Sequence, residues 1–272
     1  MSSDPLFDLA GRVVVVTGGL GQLGRSYTRA LLARGAKVAI IENRGSEADL
    51  SGAFPEADRD RLMLAGADVT GRGTIEQALG TIVERWEVPA GLINNAALDS
   101  PPDAPAEENG PFEDYPEASW DRVMAVNAKG TFLCCQVIGG AMAKAGRGSI
   151  VNIGSIYGLV SPDQRIYDFR RAQGETFFKP VAYSASKSAL YAFTRYLATY
   201  WAPRGLRVNM LTLAGVFNDQ PAAFLEPYCS KVPLGRMARP DEYDGAVVFL
   251  LSEASSYMTG ANLVLDGGWT AW

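Results

Sequence analysis

The stretch RVVVVTGGLGQLG, residues 12–24, opens on four consecutive valines and closes through glycines at 18, 21 and 24. An unbroken β-branched run this short reads as a strand covered on both faces. Glycines just beyond it permit positive backbone dihedrals and a close approach to a pyrophosphate, which sits at the positive end of the helix that follows. Residues Gly18, Gly21, Gln22, Leu23 and Gly24 are therefore read as a phosphate-holding turn. Outward from it, similar apolar runs recur at Val38–Ile41, Leu62–Ala65, Leu92–Ile93, Ile150–Ile153, Val208–Leu211 and Leu263–Leu265. Segments of helical composition lie between them, at Arg25–Arg34, Thr74–Trp86, Trp120–Lys144, Tyr183–Trp201 and Asp241–Ser252. Strands alternating with helices predict an α/β fold with one doubly wound parallel sheet. At 272 residues and 47% hydrophobic content the chain fits a single large domain over residues 1–272.

The ends of these strands carry the candidate cofactor residues. Glu42 closes the second strand, where a carboxylate accepts from adenosine ribose hydroxyls and repels a 2′-phosphate. NAD is expected over NADP, with Arg44 two residues on as the group that would reverse this by pairing with the phosphate. Asp68 and Val69 follow the third strand, and Asn94, Asn95, Ala96 and Ala97 follow the fourth. Small and amide side chains there let a flat ring and ribose lie against the strand ends, although both asparagines are equally suited to turn hydrogen bonds.

Composition narrows the chemistry further. A net charge of −5 and a pI near 5.0 give no basic field for a nucleic-acid backbone. No apolar run approaches the ~20 residues that span a bilayer, and MSSDPLFDLAG lacks both parts of a signal peptide, so a cytoplasmic protein is expected. Cys134, Cys135 and Cys229 offer neither a disulfide framework nor a zinc spacing and are read as reduced thiols. The chain has no histidine. That removes Ser-His-Asp and Cys-His hydrolases, histidine-ligated zinc sites and imidazole-dependent dehydrogenases, and no metal is expected. Acid–base work falls to Tyr, Lys or carboxylates.

Within AYSASKSAL, Tyr183 and Lys187 stand one helical turn apart and share a face. A phenol ionises near pH ~10, and an ammonium beside it, with a cationic nicotinamide ring nearby, favours the phenolate. Tyr183 is the candidate proton donor and acceptor.

In order along the chain, TGGLGQLG, Asp68-Val69, NNAA, Asn127, Ser155 in VNIGSIYG, YSASK and the closing GANLVLDGG strongly resemble the short-chain dehydrogenase/reductase family, from about Leu9 to Gly268. The resemblance implies a single Rossmann-like domain with hydride passing directly between nicotinamide and a secondary alcohol or ketone. It implies Tyr183 as acid/base, Lys187 holding the nicotinamide ribose and lowering the tyrosine pKa, and Ser155 orienting the substrate oxygen. Asn127 would help hold a water that relays protons through Lys187. It also implies a homo-oligomer, a tetramer or dimer.

Three departures stand out. Gln22 occupies a position that is glycine in the common single-domain form, so the turn is spaced as in the longer members that act on nucleotide sugars. The loop after the sixth strand reads TLAGVFN, with Leu213-Ala214 replacing the usual Pro-Gly, while Val216 still matches a carboxamide-contacting position. Ser155 and Tyr183 lie about twice the family's interval apart, which makes residues 161–180 an insertion facing the substrate. That insertion, SPDQRIYDFRRAQGETFFKP, resembles a bacterial subgroup tied to nonulosonate and nucleotide-sugar pathways. Its Arg165, Arg170, Arg171 and Lys179, interleaved with aromatics, are suited to a phosphorylated or polyhydroxylated substrate. A sugar or nucleotide sugar is the leading expectation. The alternatives are a reductase of an apolar lipid, steroid or polyketide-like carbonyl, a dehydratase or epimerase, and a non-catalytic dinucleotide sensor.

Overall fold

In a computed structural model, which describes residues 4–99 and 106–272, seven parallel strands form one sheet in the order β3-β2-β1-β4-β5-β6-β7. They are β1 Val13–Thr17, β2 Lys37–Glu42, β3 Leu62–Gly66, β4 Gly91–Asn94, β5 Gly148–Ser155, β6 Leu206–Leu213 and β7 Asn262–Leu265. The first three strands step outward in one direction and the chain then crosses to β4 beside β1, so the strand order reverses between them. Ligands of open α/β sheets bind beyond the carboxyl ends of strands at such a reversal.

Four valines run together in β1 because both faces are buried. Val13 and Val15 pack with Leu92, Ile150 and Val208 against Ile75, Ile82, Ile138 and Trp201 on one side. Val14 and Val16 pack with Val38 and Ile40 against Tyr27, Leu31, Val247 and Leu250 on the other. Helices α1 Gln22–Ala33, α2 Glu47–Ala53 and α3 Arg72–Arg85 follow the first three strands. The predicted helix at 120–144 is a longer succession: α4 Glu117–Met124, α5 Thr131–Cys134 and α6 Gly140–Ala145, joined by π-helical stretches Ala125–Gly130 and Cys135–Gly139. Each π stretch ends on a glycine with no room for a Cβ, 2.9 Å from Val69 at Gly130 and 2.9 Å from Trp201 at Gly139. Further along lie α7 Asp168–Ala172, α8 Val181–Trp201, α9 Ala222–Cys229 and α10 Asp244–Leu251. Helices α2, α7 and α9 escape periodicity, being short, with Pro227 inside α9. Residues 99–117, rich in proline and acidic side chains and without lysine or arginine, fall partly outside the described residues. Among the described residues, no helix is long and apolar enough to cross a membrane. Cys134 and Cys135 are buried, and burial pushes the Cys134 thiol up to about 12.

The glycine turn has unequal parts. Gly18 needs its positive φ of 65°, while a Cβ on Gly24 would stand 2.2 Å from the Gly18 carbonyl oxygen and 2.6 Å from the Gly19 Cα. Gly21 has an ordinary φ of −72° and a Cβ there would meet the Gly18 oxygen at 3.4 Å. Gly24→Ala is therefore expected to lower stability by about 1–3 kcal/mol, since backbone must move to admit the methyl. Gly21→Ala should leave the melting temperature nearly unchanged. Paired thermal denaturation curves check this, and equal losses would refute the assignment of Gly24 to packing.

Candidate active site

Two clefts meet at the strand ends. The first, about 530 Å³, runs from Gly18, Gly21 and Glu42 past Asp68 and Val69 to Asn95, Ala96 and Ala97. The second, about 350 Å³, is lined by Ser155, Tyr157, Tyr167, Lys179, Tyr183, Lys187 and Val216, and it shares Asn95 and Ala97 with the first. Gln22 and Leu23 also line the second cleft, so the start of α1 borders both.

The end of β5 and the start of α8 bring the candidate reactive groups together. Ser155 is the last residue of β5, its hydroxyl accepts from the Tyr157 amide at 3.2 Å, and it lines the same cleft as Tyr183. Lys187 lies one turn along α8 from Tyr183, is 3% exposed, and donates to the Ile153 carbonyl at 2.8 Å. Its ammonium stands 5.9 Å from the centre of the Tyr183 ring. Burial pulls Lys187 down to about 8, opposed by the Asp99 carboxylate. Tyr183 is held well above the ordinary phenol value, first by burial and then by Asp99, with the Ser155 hydroxyl acting the other way. The sequence expectation joined the lysine to a cationic nicotinamide ring; in the protein by itself burial has the larger effect. The ammonium is committed to a backbone carbonyl, and removing the phenol from water disfavours its charged form more.

Several cofactor candidates serve the turn as well as line it. Asn95 donates its amide to the Thr17 and Gly18 carbonyls, each at 3.0 Å, which pins the glycine turn to β4. Asn94 is buried against Asn152 at 2.8 Å. Asp68 accepts from the Thr70 amide and hydroxyl at 2.8 and 2.7 Å, and these bonds keep its carboxyl below the usual range. Glu42 Oε2 faces the Leu20 amide at 3.4 Å. Gln22 reaches away from the glycine turn to donate to the Phe217 carbonyl at 2.8 Å, fastening the post-β6 loop over it. In that loop Val216 forms a bridge to Ala238 through Gly215 O and Phe217 N, so its own amide points the other way.

Asn127 is 1% exposed, and its side chain spans two segments: Oδ1 accepts from Leu98 N at 2.7 Å while Nδ2 donates to Leu98 O at 2.9 Å and Ser186 Oγ at 3.0 Å. That side chain clamps the segment after β4 to α8 and so helps position the site.

The three arginines expected to bind substrate are absent from the catalytic cleft. Arg165 pairs with Asp163 at 2.8 Å with its side chain 80% exposed. Arg170 pairs with Glu175 at 2.6 Å and stacks over Phe177 at 4.2 Å. Arg171 donates to the Gln164 and Phe177 carbonyls, each at 2.6 Å, and pairs with Asp168. A loop this short has few amide partners for its own carbonyls, and buried carbonyls must be satisfied. Arg171 meets that need, while Arg165 and Arg170 pair with carboxylates of the same segment, so all three hold the insertion together.

What the insertion does deliver is Lys179, which pairs with Asp99 and lies 5.2 Å from the Tyr183 ring centre, together with the ring of Tyr167. Asp99, Tyr157 and Tyr228 are wall residues that sequence reading missed. Tyr157 sits inside the quoted SIYG, but nothing local marks Tyr228. It reaches the cleft because α9 folds back and Tyr228 packs on Trp269, ring centres 4.6 Å apart.

Strand order, glycine turn and the Ser155, Tyr183 and Lys187 cluster together describe a dinucleotide-dependent oxidoreductase. Residues 21–270 match the sequence model of the family described as Enoyl-(Acyl carrier protein) reductase. Galactitol 2-dehydrogenase of Rhizobium johnstonii is 32% identical over 100% of both chains. D-threitol dehydrogenase of Mycolicibacterium smegmatis is 32% identical over 99% of this chain and 97% of its own. Among solved structures, a short chain dehydrogenase from Leptospira borgpetersenii with bound NAD+ superposes with a TM-score of 0.84 at 33% identity, covering 99% of this chain and 97% of that one. The chain belongs to the short-chain dehydrogenase/reductase family and is an oxidoreductase acting on CH–OH groups.

Proposed function

We propose that this protein is an NAD-dependent dehydrogenase of polyhydroxylated secondary alcohols, of the sugar-alcohol or sugar class, working reversibly with the corresponding ketone. The observation that carries the reading is convergence. Ser155, Tyr183 and Lys187 open into one cleft that joins the glycine-turn cleft at Asn95 and Ala97. The residues present fit a nicotinamide dinucleotide: the positive φ of Gly18 and the uncapped start of α1 at Gly21 suit the pyrophosphate, and Glu42 lies at the far end for the adenosine ribose. When bound, that group supplies the hydride acceptor for oxidation and the donor for reduction.

The chain's own residues handle the proton. Ser155 Oγ and the Tyr183 phenol, which line one cleft, form a pair between which a substrate oxygen is held. In oxidation Tyr183 takes the hydroxyl proton, and Ser155 donates to the oxygen as it becomes a carbonyl. Lys187 has donors beyond the one given to Ile153, and these suit ribose hydroxyls. With the insertion arginines spent internally, the polyol relatives weigh more than a nucleotide-bearing substrate. Exposed Phe132 and Tyr196 on α5 and α8 support assembly as a homo-oligomer.

NAD reduction across galactitol, D-threitol, glycerol, simple secondary alcohols and a hydroxysteroid tests the reading. Turnover confined to the steroid would favour an apolar substrate, to which Tyr157, Tyr167, Phe224 and Tyr228 would present rings. Cofactor choice is a separate expectation. The Glu42 carboxylate should favour NAD over NADP by roughly 1.5–3 kcal/mol, the worth of hydrogen bonds to a charged group. Fluorescence titration reads it, and equal or tighter NADP binding would mean that Arg44, in the same cleft, dominates.

A further inference from the structure

We propose that Lys179, held by Asp99 in the wall of the catalytic cleft, is a specificity-determining residue that binds the hydroxyl next to the reacting carbon and so selects vicinal diols over simple alcohols. The inference rests on the dehydrogenase reading above and names the feature of the substrate that the site recognises.

The insertion is built to place this residue. The Gln164 side chain clamps the Lys179 backbone from both sides, accepting from Lys179 N at 2.8 Å and donating to Lys179 O at 3.1 Å. Arg171 in turn ties the Gln164 and Phe177 carbonyls together, and Phe178 N donates to Asn109 O at 2.7 Å. The Lys179 side chain that emerges is 9% exposed, pairs with Asp99, and puts its ammonium 5.2 Å from the Tyr183 ring centre. Lysine and aspartate both line the cleft that holds Ser155 and Tyr183. An ammonium carries three donors and Asp99 takes one. A hydroxyl can accept from such an ammonium, which an alkyl group of the same size cannot. A site built to bind a hydroxyl also discriminates against analogues lacking it, because the remaining donors of this largely buried ammonium then lose their partner.

The test compares 2,3-butanediol with 2-butanol in the intact enzyme. The parent is expected to prefer the diol. Lys179→Met should raise the diol KM by roughly 10- to 100-fold, the range of one charge-assisted hydrogen bond. Turnover of 2-butanol should fall much less than that of the diol, by whatever the Asp99 carboxylate does to Tyr183 once its lysine is gone, and Lys179→Arg should recover most of the diol affinity. Equal losses on both alcohols would make Lys179 a structural element or a general influence on Tyr183, and the proposal would fall. No change on either would also overturn it, as would a parent that prefers 2-butanol. If the parent turns over neither alcohol, the dehydrogenase reading fails separately. Calorimetric titration of 2,3-butanediol into NADH-saturated parent and Lys179→Met then decides. Binding that needs Lys179 supports the inference, and absent or Lys179-independent binding defeats it.

Discussion

Tyr183→Phe is expected to lower turnover by about two to four decades while leaving dinucleotide affinity nearly unchanged, because it removes the transferable proton and little else. The ring contacts with Lys179 and Lys187 depend on the aromatic face, which phenylalanine keeps. Ser155 still accepts from the Tyr157 amide. The pH profile carries additional information. Burial and the Asp99 carboxylate hold the phenol above its ordinary value, so oxidation by the parent should climb on the alkaline side as Tyr183 loses its proton. The variant should lack that limb. Steady-state rates and cofactor fluorescence titration, run side by side across pH, measure both halves. Activity within a few-fold of the parent would remove Tyr183 from the mechanism.

Lys187→Met should cost activity and yet stabilise the fold at neutral pH. Burial sets the folded value at about 8, below the ~10.4 of a free lysine side chain. Between those values the unfolded chain binds more protons than the folded one, so this group's contribution to stability rises as pH climbs from 8 to 10.4. Below 8 the ammonium is charged in both states, and the folded state bears the full penalty, on the order of 3 kcal/mol. Methionine removes that penalty but leaves the Ile153 carbonyl without its donor, a loss of about 1–2 kcal/mol. A net gain of about 1–2 kcal/mol is expected at pH 7, shrinking toward zero and then reversing as pH approaches 10.4. Turnover and cofactor affinity should fall together, since donors to the ribose and the charge beside the phenol are both lost. Melting curves of parent and variant from pH 7 to 10.5 provide the check. A variant less stable at pH 7, or a gap indifferent to pH, would show that burial does not strain this lysine. The pair then reads as a case in which function retains a residue that the fold alone would replace.

Chemistry that depends on a few adjacent positions was legible in the chain itself. The valine run and the glycines after it specify a strand covered on both faces and a turn without side chains, and the sheet bears out both. The one-turn spacing of Tyr183 and Lys187 puts them on one helix face, as observed. The ordered motifs indicated the family, and the lack of histidine limited acid–base work to the residues now found together. What sequence left open was decided by partners distant in the chain. A count of charges cannot tell whether Arg165, Arg170 and Arg171 face a ligand or their own loop, because that depends on which carbonyls and carboxylates the fold brings beside them. The direction of the Tyr183 shift depends on how far burial outweighs a neighbouring charge, and only packing determines burial. That the Asn127 side chain ties the segment after β4 to α8 is likewise visible only in the fold. Lys179 and Asp99 lie far apart in sequence and meet in the cleft wall because the insertion folds back over the strand ends. Local spacing determined the fold and the reacting groups, whereas tertiary packing decided which polar side chains have bonding capacity left for a substrate, since that capacity is whatever the fold has not already used.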